Sequence, residues 1–113
     1  MSAPSRAEMH PVMKRQLDGL ADGDLDALMS NYTSDAVLVR FDGSAVSADE
    51  IRKGLTDYLA MRPEVITIRD YAQTDDVIFY RATMRLGGKL ENSFGTLIIR
   101  NGKIWRQTAG FGD

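Results

Sequence analysis

The chain of 113 residues carries 14 basic and 16 acidic side chains, a formal charge of −2, with 43% hydrophobic and 27% charged residues. This is the balance of one domain with its own apolar core, and it offers neither a basic footprint for nucleic acid nor an apolar run long enough to cross a membrane. With no cysteine, and His10 as the only histidine, disulfides, thiolate chemistry and a histidine-built zinc site all drop out.

Residues 1–9 read as a flexible polar tail, in which Ser5-x-x-Glu8 has capping-box spacing. No signal-peptide core is visible, so a cytoplasmic protein is expected, and residues 10–113 read as a single domain. Pro11 suits the first turn of a helix. Val12, Met13, Leu17, Leu20 and Ala21 then fall on one stripe, ended by Gly23. Asp24 caps a second short helix, with Leu25, Leu28, Met29 and Tyr32 on its buried side. Ala36–Phe41 is a strand closed by Asp42-Gly43. Ser47-x-x-Glu50 opens a third helix, carrying Ile51, Leu55, Tyr58 and Leu59, and Pro63 follows it. From there the period changes to two: Val65–Ala72, Val77–Leu86, Leu90–Arg100 and Lys103–Phe111 read as strands. Helices followed by an antiparallel meander form an α+β layout, a curled sheet closing over helices into a cone with a cavity at its mouth.

Asn101-Gly102 between the last two strands signals a type I′ hairpin, which needs positive φ at both central residues. An uninterrupted register from that turn gathers Asn92, Phe94, Thr96, Ile98, Trp105, Gln107, Ala109 and Phe111 on one face. Large apolar walls alternating with Asn92, Thr96 and Gln107 have the composition of a ligand pocket. In this register Thr96 and Gln107 are opposite, so they either orient a ligand or satisfy each other. The other face, with Leu97, Ile99 and Ile104 beside Arg106 and Thr108, needs a cover. For Val77–Leu86, a two-residue turn at Gly87-Gly88 would send Phe79, Arg81, Thr83 and Arg85 inward. A three-residue loop including Lys89 would send Ile78, Tyr80, Ala82, Met84 and Leu86 inward. The apolar set is preferred, because burying unpaired arginines is costly.

Three charged residues are candidates for chemistry. Arg40, if it shares the cavity side with Leu38, offers a permanently charged fork to an oxyanion; the plainer reading is a strand-end arginine paired with Asp42. Asp42 is either a general base or simply the support of its own turn. Asp70, counted on the Ile66/Ile68 face, either reaches the cavity beside Arg40 or sits at an exposed strand end. Tyr58 offers a hydroxyl at the cavity mouth. Trp105 and Phe111 serve as wall, and the methionines as irregular core filling.

The run Leu17 to Asp35, LDGLADGDLDALMSNYTSD, followed by Ala36-Val37 and, at the far end, Asn101-Gly102-Lys103-Ile104-Trp105, resembles the nuclear transport factor 2-like superfamily. Its members include ketosteroid isomerases, SnoaL-like polyketide cyclases, limonene-type epoxide hydrolases and scytalone dehydratases. The resemblance implies a cystatin-like α+β roll, cone-shaped, with three N-terminal helices on a strongly curved, mainly antiparallel sheet. It also implies a homodimer through the outer sheet face, and chemistry without a cofactor on a small apolar, oxygenated molecule. The three ketosteroid isomerase groups are not retained: the helix-one tyrosine falls at Gln16, the proton-shuttling aspartate at or near Arg40, and the oxyanion-hole acid near Thr96. Arg40-Phe41-Asp42 matches the i, i+2 spacing of the epoxide hydrolase set, on a different strand. A non-catalytic pocket for a small hydrophobic ligand, or a dimeric assembly module, are the alternatives.

Overall fold

In the computed structural model, which describes residues 4–112, three helices pack on the concave side of one six-stranded mixed sheet. The elements are α1 (Pro11–Asp22), α2 (Leu25–Ser30), β1 (Tyr32–Arg40), β2 (Ala45–Ser47), α3 (Ala48–Ala60), β3 (Glu64–Gln73), β4 (Val77–Leu86), β5 (Lys89–Arg100) and β6 (Lys103–Phe111). The strand order is β2-β1-β6-β5-β4-β3. All pairs are antiparallel except β1 with β6, which run parallel.

The helix signals operate as expected. Gly23 closes α1 in the left-handed region at φ 64°, and the Asp24 carboxylate accepts from the Ala27 N–H to start α2. Residues 1–3 of the expected tail lie outside the described residues. Ser5–Glu8 is built, with the Glu8 carboxylate accepting from both the N–H and the hydroxyl of Ser5, and Met9 is buried in the core. Tyr32 is not a helix residue: it begins β1, and its side chain is buried.

The sheet registers carry the main corrections. Asn101 and Gly102 have φ 54° and 74°, and Arg100 pairs with Lys103, as a type I′ turn requires. One step later the ladder slips. Ile99 pairs with Ile104 but Ile98 pairs with Arg106, so Trp105 is an extra residue, a β-bulge. Its indole is held outside by three groups. Arg100 and Arg106 stack on its two sides at 3.6 and 3.9 Å, and its N–H donates to the Asp35 carboxylate at 3.3 Å.

Past the bulge each β6 residue meets a β5 partner one position later than the uninterrupted register gives. Leu97, Ile99 and Ile104, expected on the outer face, are core residues, whereas Asn92, Thr96 and Ile98 face outward and Trp105 lies outside. Thr96 opposes Thr108 rather than Gln107. The β4 face is the apolar one, with Ile78, Ala82, Met84 and Leu86 buried, but through the two-residue turn: Leu86 pairs directly with Lys89.

Strand β3 holds two more bulges, at Ile66 and Arg69. Val65 and Ile68 consequently both face inward, and Asp70 is turned to the outer face, where it lies opposite Arg81 and meets its guanidinium at 3.5 Å.

Candidate functional site

Helices α1 and α3 bridge the hollow of the sheet without filling it. The space between them is a cavity of about 490 Å³. Its helical walls are Met13, Gln16, Leu17 and Leu20 from α1, with Ile51, Gly54, Leu55 and Tyr58 from α3. The sheet contributes Tyr32, Leu38 and Arg40 from β1, Val65 and Ile68 from β3, and Tyr80, Ala82 and Met84 from β4. Ser93, Phe94 and Leu97 of β5, Gln107, Ala109, Gly110 and Phe111 of β6, and Phe41 and Asp42 just after β1 complete it.

Of the residues singled out from the sequence, Arg40, Asp42, Tyr58, Phe94, Gln107 and Phe111 line this space. Asp70, Asn92, Thr96, Ile98 and Trp105 do not. Asn92 accepts a cross-strand hydrogen bond from Thr83 at 3.0 Å on the outer face, and Thr96 N–H donates to the Thr108 hydroxyl at 3.1 Å. The sequence reading missed Tyr80 as a polar group, together with Tyr32, Gln16 and Ser93. Its preferred alternation for β4 did place Tyr80 inward; what it lacked was the Trp105 bulge, which brings Ser93 to the same side.

The deep end of the cavity is polar but uncharged. Tyr32 donates from its hydroxyl to Gln107 Oε1 at 2.6 Å and accepts from Gln16 Nε2 at 3.3 Å. Tyr58 donates weakly to the Met84 sulfur at 3.2 Å. Tyr80 crosses from β4 over Gly95, and its hydroxyl has no hydrogen-bond partner among the described residues. Ser93, 6% exposed, likewise has a buried hydroxyl without a partner. Burial pushes the Tyr80 phenol up to about 12 and raises Tyr32 and Tyr58 further still. At neutral pH all three are therefore donors, and none is a tyrosinate base.

Charge is confined to the mouth. Arg40 lies across α3 at Gly54, where an added Cβ would stand 3.2 Å from its Nη2 atom. Asp42 holds the following turn through its Oδ1, which accepts from the Ser44 hydroxyl at 2.6 Å and the Ser44 N–H at 2.8 Å. Those two bonds, with Arg40 nearby, keep its carboxyl below the usual carboxylate range. Phe41 and Phe94 meet edge to face beside it, their ring centroids 5.6 Å apart. Asp42 is the one carboxylate in the lining among the described residues, and these residues hold no cluster of three metal-ligating side chains. Among the described residues no helix is long and apolar enough to cross a membrane.

A model of the SnoaL-like domain matches residues 13–107. Among solved structures, the chain superposes on a protein from Kribbella flavida provisionally named a ketosteroid isomerase. The TM-score is 0.80 at 10% identity, covering 92% of this chain and 77% of the other. It also superposes on a protein from Sinorhizobium meliloti provisionally named a polyketide cyclase, with TM-score 0.78, 17% identity and coverage of 94% and 99%. A cystatin-fold protein from Novosphingobium aromaticivorans gives TM-score 0.75 at 18% identity, covering 95% and 98%. No curated protein matches the chain in sequence.

Proposed function

Since this chain belongs to the SnoaL-like domain family, we propose that it is a small-molecule enzyme of the isomerase or cyclase kind. In this reading it works without a cofactor on a compact, mostly apolar molecule that carries carbonyl oxygen. The observation that carries the reading is the pairing of an apolar cavity of about 490 Å³ with the Tyr80 hydroxyl, a donor in its lining with no hydrogen-bond partner among the described residues. The names of the ketosteroid isomerase and polyketide cyclase neighbours point the same way.

In the proposed reaction the carbonyl oxygen accepts from Tyr80. Asp42 removes a proton from the adjacent carbon, and the electron pair of that C–H bond moves into the C–C bond to give an enolate. The enolate oxygen is held by the phenol, and Arg40 lends positive charge at the mouth. Return of the proton to a different carbon isomerises the molecule, whereas attack of the enolate carbon on a second carbonyl breaks that carbonyl's π bond, closes a ring and leaves an alkoxide that takes the proton back from Asp42. A carboxylate held below its usual range is a weak base. It therefore suits a C–H made acidic from both sides, by one carbonyl and a second carbonyl or an aryl ring, better than that of a simple ketone. Among the described residues Asp42 has no second carboxylate beside it in the lining, which favours the isomerase or cyclase reading over the epoxide hydrolase scheme.

The second reading, a non-catalytic binding pocket, is favoured by the neutrality of every polar group at the deep end. Solvent-deuterium incorporation into 2-tetralone, followed by NMR, separates the two. Catalysed exchange that falls about 100-fold in Asp42→Asn, with binding retained, supports the enzyme. Saturable binding without exchange supports the pocket alone, and no binding defeats both.

We also propose a homodimer through the outer sheet face. The basis is Val77 and Ile98, directly opposed, 37% and 38% exposed, and flanked by Phe79. Sedimentation of the wild type and Ile98→Lys tests it: a concentration-dependent dimer lost in the variant is expected, and a monomer at all concentrations overturns it.

A further inference from the structure

A chain of hydrogen bonds joins the surface to the cavity, and its two fixed members decide the direction of all the others. Arg15 can only donate, and its Nε lies 2.9 Å from Asn31 Oδ1. The Val12 carbonyl can only accept, and it takes a hydrogen bond from Asn31 Nδ2 at 3.0 Å. The carboxamide of Asn31, 1% exposed, is thereby locked. Its second Nδ2 hydrogen points at Gln16, 3.0 Å away, so the Gln16 oxygen must face Asn31 and the Gln16 nitrogen must face Tyr32. Tyr32, already accepting from Gln16, has one proton to place, and places it on Gln107. The 2.6 Å separation is that of an O–H···O bond and short for an N–H···O bond, so the Gln107 atom on the Tyr32 side is the carboxamide oxygen.

We propose that this relay, running Arg15 to Asn31 to Gln16 to Tyr32 to Gln107, fixes the Gln107 amide so that its N–H₂ group is offered to the cavity. The pocket then selects molecules presenting an acceptor oxygen at that point over molecules presenting a donor. Gln107 is the specificity residue, and Gln16, Asn31 and Arg15 position it. All the links point one way, so each bond polarises the next and strengthens the donor at the cavity end. The inference rests on the reading of the cavity as a ligand site and adds which chemistry that site prefers. The positioning residues Arg15, Gln16 and Asn31 come from α1 and the α2–β1 junction, so Gln107 on β6 takes its orientation from elements that are distant in sequence and adjacent in space.

Two probes of similar size differ in the required property: 1-indanone only accepts, and indole only donates. Isothermal titration of the wild type should give tighter binding of 1-indanone, by about 5-fold, the worth of one net hydrogen bond. Gln107→Glu at pH 8 replaces the offered donor with an acceptor in the same shape, and the preference should invert. An unchanged ratio in Gln107→Glu, or equal binding of both probes by the wild type, overturns the proposal. If neither probe binds, the ligand reading fails, and the relay is decided separately by neutron diffraction from crystals exchanged into D₂O. Deuterons on the cavity side of Gln107 support it; deuterons on the Tyr32 side overturn it.

Discussion

Tyr80 lies against the bare backbone of Gly95: a Cβ added there would stand 2.8 Å from the Tyr80 hydroxyl and 3.0 Å from its Cε1 atom. The strand-opposite pairing of the two residues makes the glycine the floor on which the phenol rests. The same Cβ would also stand 2.6 Å from the Thr108 carbonyl oxygen, a backbone atom that cannot swing away. Gly95→Ala should therefore cost about 2–3 kcal/mol in thermal or urea unfolding. Adding Tyr80→Phe should not restore it, because the carbonyl contact remains.

Alkaline pH should unfold the protein through its cavity. Tyr80 holds its proton to about pH 12 when folded, and Tyr32 and Tyr58 hold theirs longer, against an ordinary value of 10.0. Above pH 10 the unfolded chain loses protons that the folded chain retains, so stability is full below that pH and falls as pH rises. The slope is about 1.4 kcal/mol per pH unit for each tyrosine. Denaturant melts across this range, with the tyrosinate absorption band recorded alongside, should show the band rising together with unfolding rather than before it.

Ser44 tunes Asp42 without itself lining the cavity. Its hydroxyl is the largest of the influences that lower the Asp42 carboxyl, so Ser44→Ala should move the acid limb of any Asp42-dependent rate toward higher pH. Asp42 is exposed, and the thermal melting curve should stay in place. A limb that stays in place means Asp42 is not the proton acceptor.

Trp105, clamped between Arg100 and Arg106 outside the cavity, should be blind to what the cavity holds. Its fluorescence should not change on titration with 1-indanone. Phe111→Trp, in a lining position at the mouth, should respond saturably in a Trp105→Phe background. A Trp105 response in the otherwise unaltered chain contradicts the bulged register.

Local chemistry made most of the fold readable in the sequence. Gly23, Asp24 and Asn101-Gly102 act through their own backbone or immediate neighbours, so their turns and caps needed nothing distant. The site was legible only where parity survived. Arg40 and Asp42 follow one strand end and its turn, and they line the cavity as the spacing implied. Gln107 and Phe111 were placed inward although the register behind them was wrong, because they lie beyond the bulge on β6. Asn92, Thr96 and Ile98 were lost to that one extra residue, and Asp70 to another at Arg69. Neither bulge has a local signature. Trp105 leaves the ladder because Arg100, Arg106 and Asp35 hold it from both sides, and Asp35 is 70 positions away. Ser93 and Tyr80 stand as unpartnered hydroxyls only once the strands are paired.

The bulges at Ile66, Arg69 and Trp105 also bear on how such a pocket changes over generations. Where two strands pair without interruption, replacing one wall of a cavity takes a separate substitution at each inward position. Here the loss of a single codon, at Trp105, would return β5 and β6 to the uninterrupted register and invert one strand beyond that point. Residues now facing solvent would become lining, and lining would become surface. An ancestral chain and its descendant could differ by one deletion and nothing else, and still present different interiors to the molecules around them.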